Sequence, residues 1–151
     1  QFQFDIIGDG ADSAILKLKK IIQKNKLTEQ INLVGHIENS RIIDVLKNYD
    51  AYIMPSYPET FGMSYIEALS AGIPVLYSQN AGIDGFFDDT IGVKVNPFNV
   101  NSIAGGLKKI AVSNLIFKNN IKLFINNHGL DRFSAESVGK TYTKIINSIV
   151  I

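Results

Sequence analysis

The chain has 151 residues, 46% of them hydrophobic, and its 15 Lys and Arg against 14 Asp and Glu leave a net charge of +1. That is enough for one domain with a real core, too apolar for a disordered segment and too nearly neutral for an electrostatic nucleic-acid binder. With no cysteine, a disulfide framework and a thiolate metal site are excluded, and a cytoplasmic setting is compatible with the composition.

Phe2 to Gly8 alternates apolar and polar residues and reads as a strand entering a turn. The opening Gln1-Phe2-Gln3-Phe4 has no initiator methionine, so the chain is expected to be a piece of something longer. No apolar run approaches the roughly 20 residues needed to span a bilayer, and no signal peptide is visible. After Gly8-Asp9-Gly10, a helix is predicted through about Asn25, with Ile15, Leu18 and Ile22 on one face and Asp12 or Ser13 as its cap. A dinucleotide fingerprint would place a third glycine where Ser13 stands. It would also place an acidic residue after the second strand, Ile31 to Gly35, where His36 stands. Asn39 or Ser40 is predicted to cap a helix with Ile42, Val45, Leu46 and Tyr49 at i, i+3, i+4, i+7.

The next strand, Asp50 to Met54, leads into the most informative stretch. Pro55 and Pro58 keep the following loop out of regular structure, so a helix can begin only near Gly62 or Met63. Gly72 and Pro74 end it after about two and a half turns. A strand from Pro74 to Tyr77 completes a β-α-β unit, whose loop lies at the carboxyl edge of the sheet, where ligands bind. The loop brings the N–H groups of Phe61, Gly62, Met63 and Ser64 to a helix N-terminus, a seat for phosphate. Glu67 stands about one turn into the helix, roughly 5 Å along its axis, where a ribose attached to a diphosphate would lie. Glu59 hangs in the loop on the side where a transferable group would sit, so the arrangement suits a nucleotide sugar.

Downstream, Gln79 to Gly85 is a glycine-containing loop leading into Phe86-Phe87, a candidate helical turn, with Asp84 in reach of sugar hydroxyls or serving only the turn. Ile91 to Val95 is the last strand. Asn99 or Asn101 opens a helix with Val100, Ile103, Ala104, Leu107 and Ala111 inward. Gly105-Gly106 within it costs on the order of 1 kcal/mol per glycine unless close packing needs them. A further helix carries Phe117, Ile121, Phe124 and Ile125, and a final one, from about Ser134, carries Val138, Tyr142, Ile145 and Ile149. One parallel sheet of five strands is expected, with helices on both faces: an α/β, Rossmann-like fold.

The residues Pro55-Ser56, Glu59, Phe61-Gly62, Glu67-Ala68, Gly72 and Pro74-Val75 resemble the signature of family 4 of the retaining glycosyltransferases of GT-B fold (glycosyl transferases group 1). Arg132-Phe133-Ser134 through Val138 is similar to that family's Phe-Ser-Trp segment, with Ala135 in place of tryptophan. Other departures are Thr60, where many members have glycine, and Gly82-Ile83-Asp84-Gly85, where many have Gly-x-Pro-Glu. The resemblance implies that residues 1–151 are the C-terminal, donor-binding domain, one half of a GT-B fold, without the N-terminal acceptor domain and the first strand of this domain. It implies Glu59 as the catalytic residue beside the reacting carbon. Donor contacts would come from Thr60, Phe61, Gly62, Met63, Ser64 and Glu67, and from Gly35, His36 and Ile37 near the base. The family's Arg and Lys, which meet the diphosphate, follow the domain's first strand and would lie upstream of Gln1.

On this resemblance the full-length protein moves a sugar from a nucleoside-diphosphate sugar to an acceptor sugar or lipid-linked sugar, as in the synthesis of bacterial surface polysaccharide or glycolipid, with no cofactor and no metal. It would be cytoplasmic or peripheral to a membrane, and the isolated chain would be inactive. Two other classes fit the residues: a nucleotide-binding module without transfer, and a nucleotide-sugar epimerase of the same fold, which would need further acid or base groups in the cleft.

Overall fold

A computed structural model describes residues 2–149. They form two compact units, one within residues 1–42 and one within residues 43–151. In the first, β1 (Phe4–Ile7), α1 (Asp12–Lys24) and β2 (Ile31–Gly35) make a β-α-β unit, followed by the start of α2 (Asn39–Leu46). β1 and β2 pair in parallel, Phe4 opposite Ile31, with the register slipping between Ile6 and Ile7 so that Ile7 faces Gly35. Asn32 Nδ2 donates to Asp5 Oδ1 at 2.8 Å across the pair, which helps to fix that register. The apolar face of α1 is the expected one, with Ile22 buried and Ile15 and Leu18 half-buried.

The cap is not the expected one. Ala11 is the N-cap and no side chain bonds the free amides, because Asp12 and Ser13 already lie inside the helix. Asp12 in the first turn still places a carboxylate at the positive end of the helix. In the same way Asn39 and Ser40 are the first residues of α2.

The second unit is built on three parallel strands, β3 (Tyr52–Met54), β4 (Val75–Ser78) and β5 (Gly92–Val95), in the order β3-β4-β5. β4 is the middle strand and all four of its residues are buried, as expected for a strand covered on both faces. Because side chains alternate along a strand, Ile53, Leu76 and Val93, which share a register, point to one face. There they form a core with Val95, Ile103 and Ile110 of α4 (Val100–Val112) and Phe117 of α5 (Asn114–Asn126). On the other face Tyr52 and Tyr77 meet Tyr65 of α3 (Met63–Ser70), with ring centroids 5.9 and 6.5 Å apart.

The expected single five-stranded sheet is therefore corrected to two parallel ladders. Among the described residues β1 pairs only with β2, and β3 pairs with β4.

In α4 the expected Asn99 cap is present, its Oδ1 accepting from Ser102 N–H at 3.0 Å. The buried face is shifted, however. Gly106 and Ile110 are buried while Val100, Ala104 and Ala111 are exposed, because an alanine Cβ at Gly106 would stand 2.5 Å from Val95 Cγ1 and 2.9 Å from Leu76 Cδ1. The helix lies on the strands through that glycine. Phe86 closes a hydrogen-bonded turn, its N–H donating to Ile83 O at 3.0 Å, and Phe87 is a bend, so the expected helical turn is not formed. A 3-10 turn, Asp131–Phe133, leads into α6 (Ala135–Ile149), whose apolar stripe of Val138, Tyr142, Ile145 and Ile149 is exposed. No described helix is long and apolar enough to cross a membrane.

Candidate functional site

The loop after β3 carries the site, and its shape follows from three anchors. Ser56 N–H donates to Met54 O at 2.9 Å, and the buried hydroxyl of Ser78 donates to Ser56 O at 2.7 Å. The phenol of Tyr65, in the first turn of α3, donates to the carbonyl of Met54. The loop is thus tied to β3, to β4 and to α3 before it reaches Glu59. The Tyr57–Pro58 peptide is cis.

Helix α3 begins where the sequence places it, at Met63, with Gly62 as N-cap at φ +82°. Only a glycine fits: its left-handed backbone disfavours any Cβ, and an alanine Cβ would stand 2.5 Å from the Tyr65 ring. Among the described residues the first backbone bond of the helix is Tyr65 N–H to Gly62 O at 3.0 Å. The amides of Phe61, Gly62, Met63 and Ser64 precede it and remain available to a ligand, at the positive end of the helix. The helix ends as expected, at Ser70, with Gly72 left-handed at φ +81°.

Glu59 is half-buried. Its carboxylate accepts from Ser56 Oγ at 3.2 Å and its carbonyl from Gly82 N–H at 3.0 Å. A Cβ at Gly82 would stand 2.9 Å from Glu59 Cγ, so the loop after β4 closes on Glu59 through a glycine. Glu67 is half-buried on α3, while Thr60 and Met63 are exposed.

The two glutamates share an electrostatic neighbourhood. Burial raises the phenol of Tyr52, a hydrogen bond with Ser64 works against that, and the charges of Glu67 and Glu59 both push it higher. Tyr65 is pushed up to about 12, first by burial and further by Glu59, although a hydrogen bond with Ser56 opposes the shift. The carboxylates of Glu59 and Glu67 thus both act on a single side chain of β3, Tyr52. Gly35, His36 and Ile37 belong to the unit of residues 1–42. There Gly35 is left-handed at φ +82°, Ile37 is half-buried, and the exposed His36 has Asp9 at 4.0 Å and Glu38 at 3.6 Å. Among the described residues no group of three or more His, Cys, Asp or Glu is placed to hold a metal ion.

Sequence reasoning missed the side chains that hold the seat from behind. Phe61 packs against Phe86 and Phe133, with centroids 5.1 and 5.5 Å away. Arg132 lies over the rings of Phe87 and Phe133 at 5.2 and 4.7 Å and donates to the Phe86 carbonyl. Neither spacing nor periodicity signals that contact, because it joins segments more than forty residues apart.

The sequence pattern of the family described as glycosyl transferases group 1 matches residues 1–123. The chain is 33% identical over 87 residues to the alpha-monoglucosyldiacylglycerol synthase of Acholeplasma laidlawii, covering 58% of this chain and 21% of that protein. It is 26% identical over 147 residues to the 2-deoxystreptamine N-acetyl-D-glucosaminyltransferase of Niallia circulans, covering 97% of this chain and 37% of that one. Among solved structures, HepE of Anabaena in complex with UDP superposes with a TM-score of 0.84 at 17% identity, covering 97% of this chain and 41% of that one. A glycosyltransferase from Rickettsia africae gives 0.83 at 21% identity, with 99% and 40% covered. The chain thus spans about a fifth to two fifths of the length of these proteins.

Proposed function

This chain belongs to the glycosyl transferases group 1 family, and from that premise we propose that it is the donor-binding half of a retaining, family 4 transferase that moves a sugar from a nucleoside-diphosphate sugar to an acceptor. The observation that carries the reading is the set of amides of Phe61, Gly62, Met63 and Ser64 at the mouth of α3, flanked by half-buried Glu59 and Glu67. These amides and the helix dipole receive the diphosphate. Glu67, one turn along, accepts from the ribose hydroxyls. Glu59 accepts from hydroxyls of the transferred sugar beside its reacting carbon. Gly35, His36 and Ile37 meet the base.

As the bond from the sugar to the diphosphate breaks, negative charge grows on the leaving oxygen. Fixed dipoles that are already oriented stabilise that charge without reorganising. The seat needs no metal in this reading, and the acceptor and further cations for the diphosphate come from the rest of the full-length protein. The transfer retains the configuration of the sugar. The HepE complex contains UDP, which supports a nucleoside diphosphate as the group held here.

The test is a titration of the 151-residue chain with UDP and GDP, followed by amide NMR. The first amides to shift should be those of Phe61 to Ser64, with an affinity no better than roughly millimolar, about −4 kcal/mol, because half of the cleft is absent. Shifts confined to Gly8 through Ser13 would refute the seat and return the dinucleotide reading.

A further inference from the structure

Two hydroxyls behind the seat converge on one sulfur. Met54 ends β3, and its thioether Sδ accepts from the phenol of Tyr52 at 3.2 Å and from the hydroxyl of Ser64 at 3.6 Å. The Ser64 hydroxyl and the Tyr52 phenol are also hydrogen-bonded to each other. All three residues are half-buried. A thioether is a weak acceptor, so two good donors rest on it for little gain. It can lose both without the penalty that an abandoned carbonyl or carboxylate would bring.

This cluster sits against the seat. Ser64 is the second residue of α3. The Cα–Cβ bonds of a helix tilt toward its N-terminus, so the Ser64 hydroxyl is carried toward the mouth, where the N–H of the same residue is one of the four free amides. Tyr52 is held in place by its ring, which meets Tyr65 edge to face with centroids 5.9 Å apart and planes at 82°. Glu67, three residues beyond Ser64, shares that face of the helix, and its charge acts on the phenol together with that of Glu59.

We propose that Tyr52 is a positioning residue for the seat, acting through Ser64, whose hydroxyl is a side-chain donor to the diphosphate alongside the four amides. The proposal rests on the reading of residues 61–64 as the diphosphate seat. Without ligand, both hydroxyls spend their protons on Met54 Sδ. When an anion fills the mouth, the Ser64 O–H turns from sulfur to a phosphate oxygen and the Tyr52 O–H turns from sulfur to Ser64 Oγ, with no proton leaving its oxygen. The exchange replaces a bond to sulfur with a charge-assisted one, roughly twice as strong as a neutral bond, and adds behind it a second bond that polarises it.

Inorganic pyrophosphate, UDP and uridine are titrated separately into the 151-residue chain carrying 13C-methyl methionine, of which it has two, Met54 and Met63. Backbone amides report on the seat and the Met54 methyl on the sulfur. In the parent, pyrophosphate and UDP should move the Met54 methyl signal with the same midpoint as the Phe61 to Ser64 amides, and uridine should leave it in place. Tyr52→Phe keeps the ring and removes the hydroxyl. That change and Ser64→Ala should each weaken pyrophosphate binding several-fold, and the double variant should bind no more weakly than the weaker single variant, because the phenol acts only through the serine. The relay is refuted if Tyr52→Phe binds pyrophosphate as the parent does, if the two losses multiply in the double variant, or if Tyr52→Phe loses affinity for UDP alone. Amide shifts in the parent with a still Met54 methyl would uphold the seat and overturn the relay. Amides silent to both anions would overturn both.

Discussion

Gly62→Ala, set against Gly72→Ala, measures how rigidly the seat is built. The two glycines flank α3 with nearly the same backbone, φ +82° and +81°, where an L-residue costs roughly 1–2 kcal/mol. Their surroundings differ. A Cβ at Gly72 meets nothing within 4 Å, whereas one at Gly62 stands 2.5 Å from two carbons of the Tyr65 ring. That ring cannot yield cheaply, since Tyr65 is 1% exposed, is bonded through its hydroxyl to Met54 and is packed against Tyr52 and Tyr77. Overpacking such a site adds about 1–3 kcal/mol. Gly72→Ala should then cost about 1–2 kcal/mol and Gly62→Ala about 2–5 kcal/mol, by the sum of the two terms. Urea unfolding followed by tyrosine fluorescence suits the measurement, because all 6 tyrosines lie in residues 43–151. UDP titration of the refolded variant should show the Phe61 to Ser64 shifts abolished in Gly62→Ala and kept in Gly72→Ala. Equal destabilisation by the two changes would refute Tyr65 as the fixed wall behind the seat.

On the proposed reading, Glu67→Ala in the full-length protein should mainly raise the donor KM, by about 1.5–3 kcal/mol for hydrogen bonds to a charged group, whereas Glu59→Gln should lower kcat more than it changes KM. Small and equal effects would mark both as surface carboxylates. Within α4, Gly105→Ala should stabilise by about 1 kcal/mol, since its Cβ meets open space. Gly106→Ala should destabilise by about 1–3 kcal/mol through overpacking against Val95 and Leu76, and denaturant midpoints will show whether the signs are opposite. Burial works against ionisation of Asp84, but the Asn80 amide and the Lys94 ammonium outweigh it and hold its carboxyl below the usual range. Its contribution to stability is therefore present above the unfolded pKa of about 3.9 and is lost as pH falls through the lower folded value. Asp84→Asn should flatten that acid limb in urea midpoints taken down through the carboxylate range, and an unchanged limb would refute the pairing.

The part of the fold legible in the sequence is the part set by local rules. Gly62, Gly72 and Pro74 bound α3 to within a residue or two because left-handed backbone and a missing N–H act on their own neighbours. Ile15, Leu18 and Ile22 mark the inner face of α1 because a helix repeats its face every three to four residues. Local rules fail where partners are distant. Val100 and Ala111 fit an apolar period in α4 yet face water, because the helix is rotated to lay Gly106 on Leu76 and Val95, and nothing within the helix announces that contact. The pairing of β1 with β2 and of β3 with β4 is likewise a choice among strand orders that the β-α-β pattern leaves open.

The same division runs through the site. Glu59, Phe61-Gly62 and Glu67 are legible as a constellation because, on the proposed reading, each answers a demand of a nucleotide sugar. What fixes their geometry is spread over Ser56, Ser78, Gly82 and Arg132, and a site is only as competent as this supporting shell. The placement of Glu59 shows what that shell allows. A carboxylate has about four lone-pair positions; the Ser56 hydroxyl occupies one of them, and Gly82 engages the backbone carbonyl instead. A sugar hydroxyl can thus be added to Glu59 without breaking the bond that aims it. Glutamine at this position keeps an acceptor oxygen for Ser56 while losing the charge, so a loss of turnover in Glu59→Gln reports on the charge beside the sugar and not on a collapsed loop.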